Sequence, residues 1–159
     1  MKIDIKAIKN NQFSFEIEPD PALLANTPHE FDGPVKVDGV VDFYDATKLQ
    51  ITFKLWIPCV LICDRCGMEL RKTIMIESTE TFAKELDEEE NYYPLRGSII
   101  ELDECLRNII AFYFPTSVLC REDCKGLCSV CGNNLNLTDC GCEKNVGNNN
   151  PFADLFKRN

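Results

Sequence analysis

Ten cysteines stand in this 159-residue chain, and six of them fall in one short segment. Their order is Cys120-x3-Cys124-x3-Cys128-x2-Cys131-x8-Cys140-x-Cys142. Thiolates two or three residues apart can wrap a single metal ion, because a tight turn aims both sulfurs inward. Gly126, Gly132 and Gly141 lie beside or between these cysteines and permit such turns. A further pair, Cys63 and Cys66, has the same two-residue spacing and is followed by Gly67. Zinc takes four soft or borderline ligands in a tetrahedron. Two such sites need eight ligands, and the cluster plus Cys63 and Cys66 supplies eight.

The expectation is therefore two structural zinc sites. One is local: Cys128, Cys131, Cys140 and Cys142. The other joins Cys63 and Cys66 to Cys120 and Cys124 across the chain. Spacing does not fix connectivity, so one zinc held by four of the six clustered cysteines, with two spare thiols, is an open alternative. Iron–sulfur ligation is another. Structural zinc in finger peptides contributes on the order of 10–16 kcal/mol of apparent binding free energy, enough to decide whether a small module folds.

The elements that position these residues follow from periodicity. Phe13, Phe15 and Ile17 alternate with polar residues, as do Val35 and Val37, and Leu49 to Ile62 is rich in β-branched and aromatic types. Leu70 to Phe82 reads as the return strand, with Ile74 and Ile76 on one face. Cys63-Asp64-Arg65-Cys66-Gly67 then becomes the tip of a hairpin. Ile3, Ile5 and Ala7 also alternate and read as strand. Pro19, Pro21, Pro28 and Gly33 mark an irregular connection. A helix over about 103–114 carries Leu106, Ile109 and Ile110 at helical spacing, with Asp103 as its cap and Pro115 as its stop. The expected fold is α+β: mainly antiparallel sheet or partly open barrel with one main helix, residues 1–115. A Cys-rich zinc module (116–144) follows, then a flexible tail (145–159) with a short helix from Pro151.

Composition narrows the function. The net charge is −9, with 45% hydrophobic and 27% charged residues. Much of the acidic excess lies between Glu77 and Glu104 and includes Asp87 to Glu90, which reads as a solvated loop. An acidic protein is a poor non-specific partner for a polyanion and a good one for a basic protein. No secretory leader or membrane-spanning run is read from the sequence, which points to a cytoplasmic setting where thiols stay reduced. Cys59 and Cys105 stand alone and read as small core hydrophobes. His29 is the single histidine, remote from the cluster. An all-cysteine set argues for structural metal, and with no phosphate loop, nucleophile elbow or His-Glu-x-x-His the chain reads as no enzyme. A redox role for Cys63 and Cys66 is disfavoured, since such dithiols open helices and this one joins two strands.

Several of these segments resemble one family. They are Cys63-x-Arg65-Cys66, the proline-terminated helix, Cys124-Lys125-Gly126-Leu127-Cys128-x2-Cys131-Gly132-x-Asn134-Leu135-Asn136, Cys140-x-Cys142 and Asn150-Pro151-Phe152-Ala153-x-Leu155. Together they resemble the bacterial YceD-like proteins, described as large ribosomal RNA subunit accumulation proteins, from about Val35 onward. The Gly-Asn-Asn-Asn stretch at 147–150 departs from the compact endings of that family. The resemblance implies a non-catalytic role in the synthesis, processing or stability of large-subunit (23S) ribosomal RNA. It also implies a large-subunit ribosomal protein or pre-ribosomal particle as partner, because the family's gene often neighbours that of a small zinc-binding ribosomal protein. Direct RNA contact through Arg65, Arg121 and Lys125 is the competing expectation.

Overall fold

A computed structural model describes residues 1–85 and 91–142. The expected acidic loop at Asp87 to Glu90, the tail and its short helix lie outside the described residues. The described residues form eight strands and one α-helix: β1 (Lys2–Asp4), β2 (Gln12–Ile17), β3 (Glu30–Phe31), β4 (Val35–Phe43), β5 (Lys48–Ile62), β6 (Glu69–Ala83), β7 (Tyr93–Arg96), β8 (Ile99–Glu101) and α1 (Asp103–Tyr113). The strands join one sheet in the order β1-β8-β7-β6-β5-β4-β2, with β3 also on β5. The sheet curls into a half-barrel. All pairings are antiparallel except the short parallel contact of β6 with β7. The expected α+β architecture is what forms.

The centre of the sheet is the long β5–β6 hairpin, whose register runs from Lys48↔Ala83 to Ile62↔Glu69. Along β5 every second residue from Leu49 to Leu61 is buried, the signature of a strand with one face on the core. α1, which packs against β6, buries Cys105, Leu106, Ile109 and Ile110 in the same core. Phe53, Phe82, Ile100 and Leu102 complete one continuous core. Cys59 and Cys105 both lie in it, and burial pushes both thiols above their usual range.

Two expectations change in detail. The N-terminal alternation stops early: Ile5–Ala7 is a 3-10 turn after β1, with the Asp4 side chain accepting from the Lys6 N–H. Asp103 is the first helical residue of α1 and the cap position is Leu102, which has no capping side chain. Asp103 instead pairs with the amino group of Met1. Among the described residues no helix is long and apolar enough to cross a membrane.

Candidate metal centres

The β5–β6 hairpin carries Cys63 and Cys66 at its tip. Its turn is closed by the Gly67 N–H donating to the Cys63 carbonyl at 2.8 Å, with Gly67 at φ 68. The second knuckle repeats the device: the Gly132 N–H donates to the Cys128 carbonyl at 2.9 Å, with Gly132 at φ 75. Left-handed backbone after the second cysteine is what turns both thiols to one side, and glycine adopts it without steric cost.

The eight cysteines expected to act together gather into two groups of four. These are Cys63, Cys66, Cys120 and Cys124, and Cys128, Cys131, Cys140 and Cys142. Within each group the sulfurs lie within 4.8 Å of one another, so either could hold a metal ion. In the first group Cys63 and Cys124 Sγ are 3.9 Å apart, and Cys66 and Cys120 Sγ 3.7 Å. A tetrahedron of sulfurs about 2.3 Å from a central ion has edges of about 3.8 Å. A disulfide needs about 2.05 Å, and all ten cysteines are free. The donor set and the spacing thus fit one tetrahedral thiophilic ion per group. His29 belongs to neither. It is buried beneath the hairpin, where Nδ1 accepts the Ile62 N–H at 3.1 Å.

Hydrogen bonds prepare the sulfurs. Burial raises the Cys63 thiol, but the N–H donors of Cys120, Cys66 and Arg65 outweigh it and bring it down to about 6. The backbone N–H groups of Cys131 and Val130 bring Cys128 down to about 6 as well. Burial and hydrogen bonding with Cys124, Cys66 and Cys63 push Cys120 up to about 12. Hydrogen bonds with Cys131 and Cys140 push Cys142 up to about 12. Within each group hydrogen bonds thus favour ionisation of some sulfurs, Cys63 and Cys124 in the first and Cys128 in the second, and oppose it at others. Four thiolates in so small a volume require a cation to balance them.

The first group also ties two distant parts of the chain together. Asp64 N–H donates to the Val118 carbonyl at 2.9 Å, and the Asp64 carboxylate accepts from the Val118 N–H at 2.6 Å. That donor, with the Ser117 side chain, holds the Asp64 carboxyl below the usual carboxylate range. Leu127 N–H donates to the Arg65 carbonyl, and Arg65 Nη1 to the Cys124 carbonyl. Gly126, at φ 74, lets the chain pass there: a Cβ on it would stand 3.0 Å from the Arg65 carbonyl oxygen. Asn136, not singled out as a functional residue from the sequence, is the hub of the module. Its Nδ2 donates to Cys124 Sγ at 3.3 Å, and its Oδ1 accepts from Arg121 and from the Lys125 N–H, both at 2.8 Å.

Fold and site together define a curled β-sheet protein with two all-cysteine, metal-type centres, one of them built across the sheet's longest hairpin. The family described as "Large ribosomal RNA subunit accumulation protein YceD" matches residues 51–157, and the chain belongs to that family. A chloroplastic YCED homolog 1 of Zea mays, described as a large ribosomal RNA subunit accumulation protein, is 34% identical over 68 residues, covering 42% of this chain and 23% of the relative. An uncharacterized protein of Mycobacterium tuberculosis (strain ATCC 25618 / H37Rv) is 32% identical over 81 residues, covering 47% of this chain and 39% of the relative. Another from Mycobacterium leprae (strain TN) is 25% identical over 112 residues, covering 67% and 51%. The matches thus span between 23% and 51% of these relatives' own lengths. No solved structure matches.

Proposed function

We propose that this chain is a non-enzymatic ribosome-biogenesis factor that supports synthesis, processing or stability of large-subunit ribosomal RNA in the cytoplasm. Each four-cysteine group holds one structural zinc ion. Residues 1–115 form the β domain, 116–144 the zinc module and 145–159 a tail. The observation that carries the reading is the pairing of the family's description with two closed donor sets. Four protein sulfurs complete zinc's tetrahedron and leave no open position for a substrate or reactive water, which is the mark of a structural ion. When bound, zinc supplies the charge that lets all four thiols of a group ionise together.

A protein partner fits better than direct RNA contact. Of the three cations that RNA contact would use, Arg65 is spent on the Cys124 carbonyl and Arg121 on Asn136 and on Asp123 at 3.3 Å, which leaves Lys125 alone to meet phosphate. The partner in this reading is a basic large-subunit ribosomal protein or an assembling particle. In cells lacking the protein, large-subunit ribosomal RNA should fall relative to small-subunit RNA. The wild-type chain should restore it, and Cys66→Ser should not. An unchanged ratio overturns the role. Native mass spectrometry should find two zinc ions per chain; one ion, with Cys63 and Cys66 open to alkylation, overturns the paired sites. Thiols that react only after chelation dismiss a redox role, and steeply salt-dependent binding to ribosomal RNA fragments would favour the RNA module instead.

A further inference from the structure

Away from both cysteine groups, α1 and β7 enclose a groove of about 800 Å³. One stripe of α1 faces it: Glu104, Asn108 and Phe112 recur every four residues. Tyr92, Tyr93 and Tyr113 supply three more rings, and Glu80 of β6 a second carboxylate. Phe112 is 82% exposed and Tyr113 57%, an unusual display of aromatic surface. The floor is fixed in place. Asn108 donates to the Tyr93 hydroxyl at 3.1 Å, and the Tyr93 ring packs on Phe82 at 5.4 Å.

Among the described residues, neither Glu80 nor Glu104 has a cation within 4 Å. Their field reaches the groove floor: besides burial, both carboxylates push the Tyr93 phenol up. Beside the groove, Lys48 Nζ already lies 4.6 Å from the centre of the Tyr92 ring, which leaves Phe112 and Tyr113 as the groove's exposed rings without a cation among the described residues. Exposed aromatic faces beside uncompensated carboxylates attract a cation twice, through ring quadrupole and through charge. Arginine suits such a site better than lysine, because its flat guanidinium stacks on a ring while its edge pairs with a carboxylate. Phosphate would be repelled.

We infer that this groove docks an extended, arginine-bearing segment of a partner protein, with guanidinium groups stacked on Phe112, Tyr113 or Tyr93 and paired with Glu80 and Glu104. The inference stands apart from the metal reading and survives or fails without it.

The test is fluorescence anisotropy with the full zinc-loaded chain, at near-physiological salt, using a labelled peptide of alternating arginine and glycine and its lysine counterpart. The arginine peptide should bind at least about threefold more tightly. Glu80→Gln with Glu104→Gln should weaken it about tenfold, or ~1.4 kcal/mol. Gln retains the acceptor that the Ser78 hydroxyl meets at Glu80, so the fold is kept. Glu69→Gln with Glu77→Gln removes the same charge from exposed positions on β6 and should weaken it less than about twofold, being screened at that distance. Phe112→Ala should weaken it several-fold. Equal weakening by the two charge pairs overturns the inference, because binding then follows net charge alone. So does Phe112→Ala without effect, or equal affinity for the two peptides. A single-stranded RNA that competes for the groove, with NMR shifts at Tyr92 and Tyr93, overturns it as well.

Discussion

At the scale of single residues, the first centre depends on side chains that never touch a metal. Asn136 bridges Cys124 Sγ to Arg121 and to the Lys125 amide. Groups that orient a metal's ligands typically alter its affinity 10–100-fold when removed, roughly speaking. Asn136→Ala should lower retention of the ion held by Cys63, Cys66, Cys120 and Cys124 by about that factor, read by competition with a chromogenic chelator; unchanged competition would deny Asn136 its role. Gly126 and Gly132 give a matched pair. Both sit at positive φ, where a Cβ costs roughly 1–2 kcal/mol, but only Gly126 has backbone against the missing Cβ. Gly126→Ala should therefore lower stability more than Gly132→Ala in urea denaturation, because the Arg65 carbonyl must also move. Equal losses would mean that the close passage of the module over the hairpin tip contributes nothing.

At the scale of elements, β2 and β4 meet closely over one glycine. Phe13 stands opposite Gly39, and a Cβ on Gly39 would lie 2.1 Å from Phe13 Cζ. The Phe13 ring covers that glycine, stacks on Phe15 at 5.6 Å and meets Phe53 edge-on at 6.1 Å. Gly39→Ala should cost about 1–3 kcal/mol as an overpacked site, and adding Phe13→Leu should recover part of the loss. Additive losses, measured by urea midpoint, would deny the coupling. The long elements were legible from residue type and spacing. The β-branched and aromatic richness of Leu49 to Ile62 and the spacing of Leu106, Ile109 and Ile110 marked strand and helix, while the alternating burial along β5 is what the structure adds. The short ones were less so. β7 and β8 have only four and three residues, too few for a period. The alternation that reads as β1 carries on through Ile5–Ala7, because nothing in it shows that the strand ends where its pairing with β8 ends. Asp103 reads as a cap by type, yet the amino group of Met1 claims its carboxylate. The thiol groups were legible as a ligand count, whereas Asn136 is one of several asparagines in a polar stretch, and only its place over Cys124 marks it out.

At the scale of the whole molecule, the two centres differ in what they close. Cys128, Cys131, Cys140 and Cys142 are neighbours in sequence, so an ion there orders one short loop. An ion on Cys63, Cys66, Cys120 and Cys124 instead pins the tip of the β5–β6 hairpin to a segment more than fifty residues later. β6, β7, β8 and α1 already bring the two segments close, and beyond the ion only a few hydrogen bonds from Asp64 and Arg65 hold the tip to the later segment. The sheet does not share this dependence. Phe53, Phe82, Leu55 and Ile57 are fully buried, each such side chain contributing about 1.5–3 kcal/mol. Chelation should therefore unfasten the clasp without melting the sheet. In hydrogen exchange, the amides of Asp64 and Leu127 should lose protection when a chelator removes the metal, while those of Phe53 and Leu55 stay protected. Cys66→Ser should reproduce that pattern with one ion left, and Cys131→Ser should lose one ion yet keep Asp64 protected. If protection at Phe53 collapses together with Asp64, sheet and clasp form one cooperative unit. The ion would then stabilise the whole fold, and the division between β domain and zinc module would not hold.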